Sequence, residues 1–118
     1  LPYNYYWLHN TTEQTLRVST TQRYSAPTVD YAVSGISVPP QETVLLAQLN
    51  HRIFDINCPQ FYALEPESIF GRVAITGAIG QVILERSLRF TLETIPDDAS
   101  NAVDYHHTLT VTSDMVSP

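Results

Sequence analysis

Four side chains with hard oxygen donors lie close together between residues 97 and 104, and this segment is the part of the chain best suited to metal binding. Asp97, Asp98, Asn101 and Asp104 fall within eight residues. Carboxylate and amide oxygens are the ligands that Ca²⁺ prefers. The spacing matches no established calcium loop, and the same composition is typical of a solvated turn. The sequence therefore predicts a candidate calcium site at Asp97, Asp98 and Asp104, with a plain acidic loop as the alternative.

Aromatic side chains cluster at the start of the chain, where Tyr3, Tyr5, Tyr6 and Trp7 stand close together. Rings of this kind stack on sugars and anchor protein interfaces. On a β-strand, Tyr5 and Trp7 would share one face and Tyr6 the other, so we expect at least one large ring at a surface. Tyr5, Tyr6 and Trp7 are therefore candidate binding residues for a protein or a carbohydrate, and packing of the rings in a core is the alternative.

Signatures of catalysis are missing from the sequence. It contains no nucleophile elbow, phosphate-binding glycine loop, paired-histidine zinc helix or cysteine pair. His106 and His107 are adjacent, and adjacent side chains on a regular strand point to opposite faces, so these two cannot chelate one metal. Cys58 is the single cysteine, which excludes an internal disulfide. We expect a protein that is not an enzyme and that has no cofactor other than a possible Ca²⁺.

Length and charge narrow the class of partner. The 118 residues suit a single domain over 1–118. Twelve acidic residues stand against six arginines and no lysine, giving a net charge of −6. Binding to a phosphate backbone needs clustered positive charge, so we exclude nucleic acid as a partner. No apolar run reaches the roughly 18 residues of a membrane span, so membrane insertion is not expected.

Asn10-Thr11-Thr12 has the form of an N-glycosylation sequon on a predicted turn. Such triplets also occur by chance, so a plain turn is the alternative. The chain begins without a methionine or a basic-then-apolar leader. From this we expect either a processed protein or a piece of a longer one.

Apolar and polar residues alternate with a period of two along most of the chain, which is typical of half-buried β-strands. We expect a break near 85–87, where Arg86 would otherwise occupy an inward position, a helical turn near 65–70, and a hairpin loop at 77–80. The predicted strands cover 3–9, 15–20, 31–38, 43–47, 52–58, 61–64, 72–76, 82–92 and 105–112.

Short strands joined by proline, glycine, asparagine and aspartate predict an all-β fold, an antiparallel β-sandwich of about seven to nine strands. The polar turn at residues 10–13, the strand after it and the proline-capped apolar run 38–46 together resemble the immunoglobulin-type sandwich in a general way. The Cys-Trp-Cys hallmark of true immunoglobulin domains is missing, so an immunoglobulin-like and a jelly-roll-like strand order both stay open.

These observations favour a non-enzymatic binding or adhesion module that acts outside the cytoplasm, in an extracellular or periplasmic setting. Its ligand would be a protein or a carbohydrate, contacted through loops or through the aromatic first strand. The alternative is a structural subunit that associates with copies of itself, since an open sandwich has exposed edge strands and this chain has no lysine to protect them. A calcium-dependent binding module is the third possibility.

Overall fold

The computed structural model describes residues 3–23, 29–32, 35–50, 65–78, 80, 82–84, 89–97 and 102–116. Two single-turn helices lie in these ranges, α1 (Pro66–Ile69) and α2 (Ser113–Val116). The strands are β1 (Tyr3–Asn10), β2 (Leu16–Gln22), β3 (Val29–Tyr31), β4 (Ile36–Val38), β5 (Thr43–Asn50), β6 (Phe70–Thr76), β7 (Val82–Leu84), β8 (Thr91–Asp97) and β9 (Ala102–Val111).

The described strands form two open sheets. The first has five strands in the order β3-β5-β1-β9-β8, and the second has four strands in the order β4-β2-β6-β7. Each pairing among these strands is antiparallel, except that β1 and β9 run parallel. The predicted all-β sandwich is thus confirmed, with one parallel pair inside the five-stranded sheet.

The core lies between the two sheets and is built by alternate residues of the strands. In β1 the inward residues are Tyr6 and Leu8, and in β2 they are Leu16 and Val18, all at most 1% exposed. Full burial of one such aliphatic side chain stabilises the fold by about 1.5–3 kcal/mol. The alternation therefore fixes which face of each strand meets the other sheet. Further core residues are Val38, Leu46, Ala47, Leu49, Ile69, Phe70, Val73, Ile75, Leu109, Val111 and Val116.

The end of β1 is held by the side chain of Asn10, which is fully buried. Its Nδ2 donates to the backbone oxygens of Gln14 at 2.8 Å, Val38 at 3.0 Å and Pro39 at 3.1 Å. Its Oδ1 accepts from the backbone N–H of Thr12 at 2.9 Å and from the Thr12 hydroxyl at 2.6 Å. One amide group thus satisfies polar backbone atoms from two separate turns, a strong constraint in a buried site.

The same contacts show whether the Asn10 side chain can carry a glycan in the folded protein. A glycan would replace a hydrogen of the Asn10 Nδ2, and that nitrogen is buried against three carbonyl oxygens. The interpretation of Asn10-Thr11-Thr12 as a glycosylation site is therefore wrong for the folded protein. The triplet forms a structural turn instead, because Asn and Thr side chains readily bond to nearby backbone groups.

One predicted strand, 31–38, is corrected by the structure. Its two ends belong to different sheets, since β3 ends at Tyr31 and pairs with β5, whereas β4 begins at Ile36 and pairs with β2. Gly35 lies between them with φ +84°. Positive φ is accessible to glycine at little energetic penalty, so this residue lets the chain cross from one sheet to the other.

Of the other described elements, the helical turn and the hairpin agree with the sequence, whereas α2 was not predicted and β8 continues to Asp97, where a loop was expected. The predicted turn of helix is α1, and a hairpin joins β6 to β7, with Gly80 N–H bonded to Gly77 O at 3.0 Å. The alternating run 82–92 is divided between β7 and β8, which lie in different sheets. The predicted strands 52–58 and 61–64, Cys58 and the expected break at 85–87 fall outside the described residues. Neither described helix is long and apolar enough to cross a membrane.

Candidate functional site

The parallel pairing of β1 with β9 places the candidate residues on two different faces. Tyr5 lies opposite His106, and Tyr6 lies opposite His107. Because successive side chains on a strand alternate, Tyr5, Trp7 and His106 point away from the core, while Tyr6 and His107 point into it. Each of the two adjacent histidines therefore has an aromatic neighbour on its own face.

Tyr5, Trp7 and His106 form one cluster on the outer face of the five-stranded sheet, called the aromatic patch below. The ring of Tyr5 stacks on that of His106 with centroids 4.7 Å apart and planes 17° apart. The rings of Trp7 and His106 are 6.2 Å apart and nearly parallel, at 10°. All three side chains are partly exposed. Such offset arrangements stabilise aromatic pairs beyond their buried area.

A hydrogen bond fixes the Trp7 indole against His106. The Trp7 Nε1–H donates to His106 Nδ1 at 3.0 Å. Since an indole nitrogen only donates, Nδ1 must be the acceptor, and the neutral imidazole then carries its proton on Nε2. The same two rings lie nearly parallel, with their planes 10° apart. This bond therefore links Trp7 of β1 to His106 of β9 within the patch.

Polar side chains surround the aromatic patch on the neighbouring strands. Gln48 of β5 lies opposite Tyr5, Thr108 of β9 lies opposite Trp7, and Glu93 of β8 lies opposite His106. Gln48 and Thr108 are partly exposed and Glu93 is exposed. Amide, hydroxyl and carboxylate groups therefore flank the rings on the same outer face.

Tyr6 does not belong to this surface. Its side chain is fully buried, packs edge-on against Phe70 at 5.7 Å and stacks on His107 at 4.5 Å. Burial raises the pKa of its phenol, and the nearby Tyr31 adds to the shift. The structure thus places Tyr6, one of the three predicted binding residues, in the core, because the alternation that exposes Tyr5 and Trp7 directs Tyr6 inward.

His107 is a buried polar group that the sequence pattern did not mark as a site residue. It is 3% exposed, and its Nε2 lies 2.7 Å from Asn4 Oδ1, which is also buried. An amide oxygen only accepts hydrogen bonds, so Nε2 is the donor and Nδ1 of the neutral ring is an acceptor. The available signal was the adjacent pair His106 and His107, whose side chains had to lie on opposite faces.

The candidate calcium ligands are only partly described. Asp104 lies on β9 opposite Ile95 of β8 and is partly exposed, and Asp97 is the last residue of β8. Asp98 and Asn101 lie outside the described residues. Within the ranges that the structure covers, no three His, Cys, Asp or Glu side chains are close enough to hold a metal ion. The calcium site therefore stays a prediction from sequence.

The environment of His107 predicts pH-dependent stability. Burial lowers its pKa to about 4, with a smaller contribution from His106. Between pH 6.5 and 4 the unfolded chain binds a proton at this position and the native protein does not, so the free energy of unfolding falls as the pH falls through that window. We expect protonation linked to this residue to lower the free energy of unfolding by about 2 kcal/mol between pH 7 and pH 5.

Urea unfolding of the wild type and of His107→Gln at the two pH values isolates this effect, because other titrating groups are common to both chains. The wild type should lose more stability than the variant. An equal loss in both proteins would show that His107 is not held neutral.

No family model, curated protein or solved structure matches this chain. The functional assignment therefore depends on the geometry of the aromatic patch and on the chemistry of its neighbours.

Proposed function

We propose that this protein is a non-enzymatic binding module that holds a carbohydrate on the outer face of its five-stranded sheet. The observation that supports this best is the aromatic patch, in which Tyr5, Trp7 and His106 are stacked and hydrogen-bonded on a solvent-facing sheet surface. Large aromatic side chains in a fixed arrangement offer contact area with little loss of conformational entropy on binding.

The neighbours of the aromatic patch favour a sugar over other ligands. A sugar ring has an apolar face and a rim of hydroxyls, so it needs an aromatic surface with hydrogen-bonding groups beside it. Gln48, Thr108 and Glu93 supply amide, hydroxyl and carboxylate groups around the rings. The net charge of −6 favours a neutral or hydroxyl-rich ligand over an anionic one.

Substitution within the aromatic patch tests this proposal. A glycan array of neutral oligosaccharides would identify a binder, and titration would give its affinity for Trp7→Ala, Tyr5→Ala and the control Met115→Ala. We expect each aromatic substitution to weaken binding at least about tenfold, or about 1.4 kcal/mol, as for an aromatic anchor of an interface. Met115 is an exposed apolar residue of α2 outside the patch, so its variant should bind like the wild type.

Trp7→Phe separates ring contact from the hydrogen bond, since it keeps an aromatic face and removes the donor to His106. We expect Trp7→Phe to lose less affinity for the carbohydrate than Trp7→Ala does. Binding that tolerates both Trp7→Ala and Tyr5→Ala, or an array without any binder, would contradict the carbohydrate proposal.

A second candidate function is self-association through β8, and the exposure of this strand favours it. β8 is the last strand of the five-stranded sheet, and its residues 91–96 are all exposed. They include Leu92 and Ile95, which are 51% and 40% exposed. An edge strand with apolar side chains and no lysine is suited to pairing with an edge strand of a second copy.

Sedimentation velocity over a wide concentration range tests this candidate. If copies pair through β8, Ile95→Lys should weaken the dimer at least about tenfold, because it places a charge within the new strand pair. Ser37→Lys is the matched control, since Ser37 is an exposed residue of β4 at the edge of the other sheet. A monomer at every concentration, or a dimer that both substitutions weaken equally, would contradict self-association through β8.

A further inference from the structure

A cleft between α1 and β8 lies apart from the aromatic patch, on the inner side of the five-stranded sheet. Its volume is about 420 Å³, within the range of about 300–1,000 Å³ that small-molecule sites occupy. His107 belongs to the inner face, so the strand that presents His106 to the aromatic patch presents the next residue to this cleft. Among the residues that the structure describes, the lining is formed by Glu65, Pro66, Glu67, Arg89, Phe90, Leu92 and His107.

His107 is a polar residue in the lining of the cleft. One nitrogen of the ring is bonded to Asn4, and one ring face is stacked on Tyr6. No described residue donates a hydrogen bond to the other nitrogen, Nδ1, which is an acceptor in the neutral ring. His107 therefore adds a ring nitrogen that can accept a hydrogen bond to a lining that otherwise carries carboxyl, guanidinium and apolar groups.

Opposite charges line the cleft without contacting each other. Glu65 and Glu67 both line the cleft, and interaction with the Glu67 carboxyl, by hydrogen bonding and by repulsion, raises the pKa of Glu65. No described residue forms an ion pair with Arg89, although it lines the same cleft. Two carboxyls and a guanidinium held apart across one small space are complementary to a ligand that carries both charges.

We propose that this cleft binds a free α-amino acid with an apolar side chain. The ammonium group donates to the carboxyls of Glu65 and Glu67 and to His107 Nδ1. The carboxylate accepts from the guanidinium of Arg89, and the apolar side chain packs against Phe90 and Leu92. The class of ligand follows from these groups together. An amine alone would contact only the carboxyls, a carboxylic acid alone only the guanidinium, and a hydrocarbon alone only the apolar side chains.

Calorimetric titration of the full chain with L-leucine tests the proposal, with two analogues that each lack one charge. Leucinamide has no carboxylate and isocaproate has no ammonium. We expect L-leucine to bind at least about tenfold more tightly than either analogue, since each analogue leaves one charged group of the cleft without its partner. No heat of binding with L-leucine, or equal affinity for all three compounds, would overturn the proposal.

Substitutions in the cleft test which residue binds each charged group of the ligand. Arg89→Gln should bind leucine and leucinamide with equal affinity. Glu67→Gln should reduce the difference in affinity between leucine and isocaproate. Arg17→Gln and Glu13→Gln change exposed residues outside the cleft and should retain the wild-type pattern. If Arg89→Gln still prefers leucine over leucinamide to the wild-type degree, the assigned role of Arg89 is wrong.

Trp7→Ala separates this cleft from the carbohydrate site. It removes a side chain of the aromatic patch and leaves the lining of the cleft unchanged, so leucine binding should persist in that variant. Loss of leucine binding in Trp7→Ala would contradict a separate inner site.

Discussion

The parallel pairing of the first strand with the last is the constraint on which both proposed sites depend. In this register Tyr5 lies beside His106 on the outer face, and Tyr6 lies beside His107 on the inner face. The side-chain period of a strand is two, so a shift of one residue would exchange the faces. His106 would then leave the aromatic patch, and His107 would lose both Asn4 and its place in the cleft wall.

The buried turn at the end of β1 supports this register. Asn10 ties the strand to the turns at Gln14 and at Val38–Pro39, and Thr11 donates from both its backbone N–H and its hydroxyl to Val111 O of β9. These bonds are buried or partly buried, where an unsatisfied group is costly. The turn thus fixes the end of the strand pair that also aligns the aromatic patch.

Local pattern predicts much of the fold and part of the site. Alternation alone separates Tyr5 and Trp7 from Tyr6 and separates His106 from His107, because the facing of side chains along a strand is a local property. The same pattern could not show that Trp7 bonds to His106, a residue 99 positions away. That contact depends on strand order, which long-range packing determines. For the same reason the run 31–38 gave one predicted strand, although Gly35 divides it between two sheets.

Nuclear Overhauser contacts in isotope-labelled protein at neutral pH test the β1–β9 register most directly. We expect contacts from the Trp7 indole N–H and the Tyr5 ring to the His106 ring, and from the Tyr6 ring to the His107 ring. These pairs come from opposite ends of the chain, so no local structure could produce them. Contacts of Tyr6 with His106, or of Tyr5 with His107, would show a register shifted by one residue and would contradict both proposed sites.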